Sequence, residues 1–192
     1  LGGGKWGPAI NNKAAWVLME APAFILMLLW TIKYGSGIAP VVMASLFMLH
    51  YFQRSFIFPL LMRGKGRMPV AIMLMGMTFN SINTYLIAGW LFKIGFYPEG
   101  WLHSPQFIMG AIVFFSGMAI NIYSDHVIRH LRSPGDTRHY IPRKGFYKYV
   151  TSANYFGELV EWTGFALLTW SPAGLLFACW TFANLAPRSK AL

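Results

Sequence analysis

PQFIMGAIVFFSGMAINIYSDHVIRHL, residues 105–131, decides the class of this chain. It opens on Pro105, whose missing amide costs nothing in a first helical turn. It then runs apolar until a ladder of Asn121, Asp125 and Arg129. A helix of about 20 such residues spans a bilayer core. Five further apolar stretches flank it, from about Lys13 to Lys33, Ile38 to Leu61, Pro69 to Phe92, Tyr147 to Trp170 and Pro172 to Ala186. Breaks such as Tyr34-Gly35-Ser36-Gly37 and Ser171-Pro172 make neighbours antiparallel. The expected fold is all-α: a polytopic transmembrane bundle of six helices, forming a single domain over residues 1–192. There is no internal repeat, no low-complexity tract and no room for a soluble second domain.

Composition agrees. Hydrophobic residues make up 56% and charged residues 11%, against roughly 25% charged in soluble domains. Aromatics reach 17%, with eight Trp, as suits helix ends at a membrane interface. The single Cys179 excludes an intrachain disulfide. Because the chain starts with Leu1 and carries no recognisable signal peptide, a missing N-terminal piece, such as a further span, is expected.

The net charge of +10 invites comparison with nucleic-acid binders, but its placement argues for a membrane protein without a nucleic-acid partner. In alternating helices, Lys33 and Lys93 fall on one side, Arg54 lies inside a span, and the other basic residues fall on the opposite side. The positive-inside rule makes that basic side cytoplasmic. A bacterial inner membrane and the endoplasmic reticulum fit equally.

Acidic residues behave differently. Glu99 and Asp136 lie in loops, whereas Glu20, Asp125, Glu158 and Glu161 fall within apolar stretches. An intramembrane carboxylate is costly and faces a bundle interior or polar cavity; it serves either as interhelical glue or in a site. Asn121, Asp125 and Arg129 share one helical face by their spacing of four, with Arg132 just beyond. Asn154, Glu158 and Glu161 repeat the pattern in the fifth stretch. His50, Tyr51 and Arg54 form a patch in the second, and Glu20 lies one turn from Trp16 in the first. Polar patches on four helices suggest a shared cavity for a polar cofactor or substrate head.

The loops Arg63-Gly-Lys65-Gly-Arg67 and Arg132 through Lys144 join basic groups to glycines. Such loops suit phosphate oxygens or serve topology alone. Neither standard nucleotide-binding glycine motif is present. His126 and His130 stand four apart, but a metal site needs more ligands than this pair supplies, so no metal is expected and the pair reads as polar groups at a helix end. No nucleophile–base arrangement is visible around Cys179 or the serines.

Several segments together resemble the steroid 5α-reductase family: Trp16-Val-Leu-Met-Glu20-Ala-Pro22, Leu49-His50-Tyr51-Phe52-Gln-Arg54, and the run from Ile120 to Gly135 containing Asn121, Asp125, Arg129 and Arg132. The likeness continues through Ile141-Pro142-Arg143-Lys-Gly145 and through Tyr149 to Trp162, with Asn154, Gly157, Glu158 and Glu161. It implies a seven-helix membrane enzyme (3-oxo-5α-steroid 4-dehydrogenase) that uses NADPH to reduce the C4–C5 double bond of a 3-oxo-Δ4 steroid. By that likeness Glu20 and Tyr51 contact the steroid carbonyl as the catalytic pair, with Trp16 a substrate-binding neighbour. Asn121, Asp125, Arg132, Asn154 and Glu158 match residues that hold the dinucleotide, and Arg54 belongs to the same polar lining. The implied partners are a steroid entering from the lipid phase and membrane lipids, and the protein is expected to be a monomer with its cofactor side cytoplasmic.

Three departures stand out. The family's first helix and its His-rich cofactor-contacting segment after the last helix have no counterpart in this sequence, with Arg188-Ser-Lys190-Ala-Leu192 resembling the family tail joined directly to helix six; either a trimmed chain or residues left out of its numbering is expected. Met62 stands where some members have a polar residue before Arg-Gly.

The implied chemistry suits the residues. Conjugate reduction of an enone builds negative charge on the carbonyl oxygen, and preorganised donors there lower the barrier. Tyr51 can donate directly. Glu20 can donate only when protonated, a form that burial in an apolar bundle favours. A Tyr with a neutral carboxylic acid is a recognised pairing of this kind in an apolar steroid site. Three alternatives use the same features differently: a related membrane reductase acting on an enoyl thioester or another sterol, a lipid transporter with buried charges along its path, and a membrane-embedded methyltransferase.

Overall fold

The structure, a computed structural model, describes residues 6–63, 66–131 and 140–190. The chain forms two compact units, Leu1–Tyr97 and Pro98–Leu192.

The first unit holds three long helices. Helix α1, Asn12–Tyr34, starts where the Asn11 side chain accepts hydrogen bonds from the amides of Lys13 (2.9 Å) and Ala14 (3.3 Å), satisfying two of the helix's orphan donors. It continues through Pro22 and ends before Gly35. Helix α2, Ile38–Leu61, follows Gly37, whose φ of 79° only glycine adopts without strain. Over Gln53–Ile57 it widens into a π turn. Pro59 cannot donate to the Ser55 carbonyl, and the chain passes this point without breaking. Helix α3, Val70–Ile94, ends in a second π turn, Trp90–Ile94.

Small and flexible side chains on α1 and α2 (Ala15, Ala23, Met27, Met43, Ala44) are buried with Phe47, Ile87 and Ala88. Gly76 of α3 lies directly against the Met19 side chain of α1. Ile32, Ile38, Leu60, Met75 and Ile94 face outward, as lipid-facing positions should.

A short antiparallel pair was not expected: β1, Ala9–Asn11, pairs with β2, Arg67–Pro69, in the register Ala9↔Pro69, Ile10↔Met68 and Asn11↔Arg67. Three-residue strands carry too few alternations to register as a pattern. The Asn12 amide extends the pairing to the Gly66 carbonyl (3.0 Å), the Val70 amide bonds Pro8 (2.9 Å), and Arg67 Nε donates to the Ala9 carbonyl (3.1 Å). Together they tie the entrance of α1 to the entrance of α3.

In the second unit, a 3₁₀ turn at Trp101–His103 leads into α4, Pro105–Arg129, capped by Ser104 Oγ accepting from the Phe107 amide (3.2 Å). Helix α5 is Ala153–Thr169 and α6 is Pro172–Lys190. The fifth helix thus begins six residues later than its apolar stretch. Gly145 takes a φ of 60° and Gly145–Lys148 close a separate 3₁₀ turn, so Tyr147 belongs to a connection. Between α5 and α6, Trp170 adopts a left-handed φ of 45°, and Ser171 Oγ accepts from the Gly174 amide (2.9 Å).

Helices α4 and α5 meet along a glycine seam. Gly110 faces the backbone of Gly164 and Leu168, Gly164 faces Phe114, Gly117 faces Gly157 and Glu161, and Gly157 faces Asn121. A Cβ at any of the four would strike main-chain atoms of the opposite helix. Small residues two turns apart allow such backbone approach, and in a bilayer this packing replaces the hydrophobic drive of soluble proteins. Among the described residues, four helices, α1 to α4, are long and apolar enough to cross a membrane; α5 has 17 residues. The chain is an integral membrane protein of all-α class, as its sequence indicated.

Candidate functional site

In the first unit, α1, α2 and α3 converge on one amide. The Tyr51 hydroxyl donates to Asn80 Oδ1 (3.2 Å), and Asn80 Nδ2 donates to Glu20 Oε2 (3.0 Å) and to the Met19 carbonyl (3.0 Å). Tyr51 is 2% exposed and Asn80 6%, so these bonds lie in surroundings where an unsatisfied polar group is costly. Thr84 Oγ1 donates to the Asn80 carbonyl (2.7 Å) one turn along α3. His50 is buried edge-on to Tyr51, with ring centroids 5.1 Å apart, and Phe47 packs on the same ring at 4.7 Å.

A second cluster sits one turn toward the β-sheet end. The Arg54 guanidinium, carried on the π turn of α2, lies 5.1 Å from the Trp16 ring centre and 4.5 Å from that of Phe58. Trp16 and Phe58 themselves meet edge-to-face at 5.2 Å. Widened turns of this kind occur often at functional sites, and aromatic faces hold a guanidinium by cation–π attraction.

In the second unit, the seam brings the ends of α4 and α5 within hydrogen-bonding range. Asn121 Nδ2 donates to the Asn154 carbonyl (2.9 Å), Asn154 Nδ2 donates to Asp125 Oδ1 (3.3 Å), and the Tyr147 hydroxyl donates to Asn154 Oδ1 (3.3 Å). Burial pushes the Tyr147 phenol well above its usual range, and the neighbouring Asp125 charge adds to the effect. Tyr147 therefore stays a neutral donor throughout the physiological range. Glu158 stands one turn beyond Asn154 on α5, half-buried, while Glu161 is fully buried behind the seam.

Ser124 Oγ, Ser152 Oγ and one Nη of Arg129 are buried here without a hydrogen-bond partner among the described residues. Ser152 occupies the N-cap of α5 yet its side chain makes no capping bond. Orphaned donors beside an uncapped helix start are what a polar, anionic ligand would satisfy. The His126 and His130 rings stack at 4.0 Å, and His130 Nδ1 meets the His126 carbonyl at 2.8 Å.

Glu20 and Tyr51 thus come together through Asn80, Trp16 and Arg54 come together as an aromatic–cation cluster, and Asn121, Asp125 and Asn154 form one network. Arg132 lies outside the described residues. Asn80 and Tyr147 had not been singled out from the sequence. Asn80 was legible in principle: Asn80 and Asn83 stand three apart in an otherwise apolar span, a polar patch as costly there as those on the other helices. Tyr147 carried no such signal.

Apolar helices that carry buried amide and carboxyl groups, with guanidinium groups beside them, define a membrane-embedded protein with a polar cluster in each unit. The family model described as 3-oxo-5-alpha-steroid 4-dehydrogenase matches residues 66–192. The human protein 3-oxo-5-alpha-steroid 4-dehydrogenase 1 is 42% identical over 94% of this chain and 71% of its own length. The rat protein 3-oxo-5-alpha-steroid 4-dehydrogenase 2 is 40% identical over 93% of this chain and 71% of its own. Steroid 5-alpha-reductase DET2 of Arabidopsis thaliana is 36% identical over 97% and 74%. The chain belongs to the 3-oxo-5-alpha-steroid 4-dehydrogenase family, and its class is that of a membrane oxidoreductase.

Proposed function

We propose that this protein reduces the C4–C5 double bond of a 3-oxo-Δ4 steroid at the expense of NADPH, with hydride delivered to C5 and with Glu20 and Tyr51 acting at the 3-keto oxygen. The observation that carries this is the convergence of Glu20 and Tyr51, from two helices, on the single buried amide of Asn80. Two hydrogen-bonding side chains held side by side in an apolar bundle suit a carbonyl oxygen that gains negative charge. As the enolate forms, the protonated form of Glu20 donates to that oxygen, and Tyr51 joins it once its O–H turns from Asn80 Oδ1 to the substrate. Trp16, one turn from Glu20 on α1, is the proposed apolar wall for the steroid. No side chain is assigned to protonation at C4, which falls to water.

Bound NADPH would supply the hydride. The residues proposed to hold it are Asn121, Asp125, Asn154 and Glu158, together with Arg54 and Arg132. The orphaned Ser124 and Ser152 hydroxyls, the Arg129 nitrogen and the uncapped start of α5 suit such a ligand. The basic loops place the cofactor side in the cytoplasm, the steroid arrives from the lipid phase, and the protein acts as a monomer.

The test is turnover of testosterone and progesterone with product mass read for addition of two hydrogens. Glu20→Gln and Tyr51→Phe should each lower kcat on the order of a hundredfold, with NADPH affinity changed less than about threefold. Wild-type turnover in both variants would sink the assignment. An enoyl thioester reduced in preference to either steroid would redirect the substrate class.

A further inference from the structure

Asn80 holds a place between the two proposed donors that neither of them can fill alone. Its orientation follows from its neighbours. Nδ2 faces two acceptors, the Met19 carbonyl and Glu20 Oε2, both at 3.0 Å, while Oδ1 faces the Tyr51 hydroxyl at 3.2 Å. The flipped amide would set Oδ1 against the Met19 carbonyl with no proton between them. Both amide hydrogens are therefore committed, and Oδ1 is occupied as well. Asn80 is 6% exposed, its carbonyl is bonded by Thr84 Oγ1, and Gly76, one turn earlier, lies against the Met19 side chain.

An N–H directed at Oε2 needs a lone pair there. In a neutral Glu20 carboxyl the carbonyl-type oxygen is the better acceptor, so this bond favours Oε2 in that role and the proton on Oε1. The Tyr51 hydroxyl, which has one proton, gives it to the other end of the same amide, so it reaches a substrate oxygen only by turning that O–H away from Asn80. We propose that Asn80 is a positioning residue for the reduction: its amide determines which oxygen of Glu20 carries the proton, so that Oε1 is the donor presented to the carbonyl oxygen. This rests on Glu20 acting at the substrate carbonyl. Asn80 acts through Glu20 and needs no contact with the steroid.

A double-mutant cycle on the full chain in detergent or nanodiscs tests it, with testosterone and NADPH as substrates. Asn80→Leu, which keeps the branching of the native side chain, should lower kcat about 10- to 100-fold while the steroid KM and NADPH Kd stay within about threefold. In a Glu20→Gln background, where there is no longer a proton to place, the same substitution should cost less than about threefold further. Full additivity would mean Asn80 acts by packing alone and would overturn the proposal. Near-wild-type kcat in Asn80→Leu, with Glu20→Gln impaired, would overturn it while leaving the roles of Glu20 and Tyr51 intact. Wild-type kcat in Glu20→Gln would remove both. Size-exclusion profiles and thermal midpoints monitor folding, and Asn80→Ser run through the same cycle serves if the Leu variant does not fold.

Discussion

Asn154 shows how much one side chain can organise. Its amide bonds Asp125 and Tyr147 while its carbonyl takes the Asn121 amide, so removing Asp125 or Tyr147 takes a hydrogen-bond partner from a half-buried amide, at a cost of about 1 kcal/mol. The most telling probe is Tyr147, whose phenol is held above its ordinary range chiefly by burial and then by the Asp125 charge. An unfolded Tyr ionises near about pH 10. As pH rises past that value the unfolded chain releases its proton first and the folded one does not, so Tyr147 makes stability fall with rising pH in that window. Below it the contribution is constant. Tyr147→Phe should therefore flatten the alkaline decline of the thermal midpoint between about pH 9 and 11. An unchanged slope would show that another group controls it. Tyr97, whose phenol burial pushes up to about 12 despite a hydrogen bond from Trp90, contributes a parallel term that this substitution leaves in place.

At the scale of elements, the glycine seam sets the spacing at which the α4 and α5 side chains can meet. Gly157 abuts the Asn121 backbone, and Asn121 bonds Asn154 one turn away. Gly157→Ala should then do two things at once: lower the thermal midpoint by overpacking, on the order of 1–3 kcal/mol, and weaken NADPH binding by spreading the network. Gly89→Ala is the control, because a Cβ there meets nothing within 4 Å, and it should be neutral or slightly stabilising. Scanning fluorimetry in detergent with and without NADPH reads both effects. Equal behaviour of the two variants would mean the seam does not set the network's geometry. The π turn of α2 is a second device at this scale. It carries Arg54 onto Trp16 and Phe58 without interrupting the span, which an ordinary break in the bilayer would make costly.

For the whole molecule, charge distribution and length set the frame. The basic residues that the sequence sorts to one side of the membrane are proposed to fix orientation, and the same loops to meet the cofactor's phosphates. Arg132→Ala should raise the NADPH requirement about tenfold with little change in kcat, and wild-type protein should use NADH poorly. Equal use of NADH and NADPH would mean the loops serve orientation only. The six apolar stretches translated into helices almost residue for residue because a lipid-exposed backbone has few options. The exceptions were the fifth helix, shortened to Ala153–Thr169, and the β1–β2 pair, where turn chemistry at Gly145 and pairing between distant short segments outweighed composition.

The sequence by itself determined the membrane class, the number of helices and the polar residues inside them, because apolar length and the cost of burying charge are properties of local composition. It also carried the family likeness through motifs spread along the chain, which the family comparison bears out. Only the tertiary structure decided which of those residues share a hydrogen bond. Nothing in the spacing of Glu20, Tyr51 and Asn80 along the chain shows that one amide joins them. That depends on how α1, α2 and α3 pack, as where Gly76 lies against the Met19 side chain, a contact that exists only once the partner helix is in place.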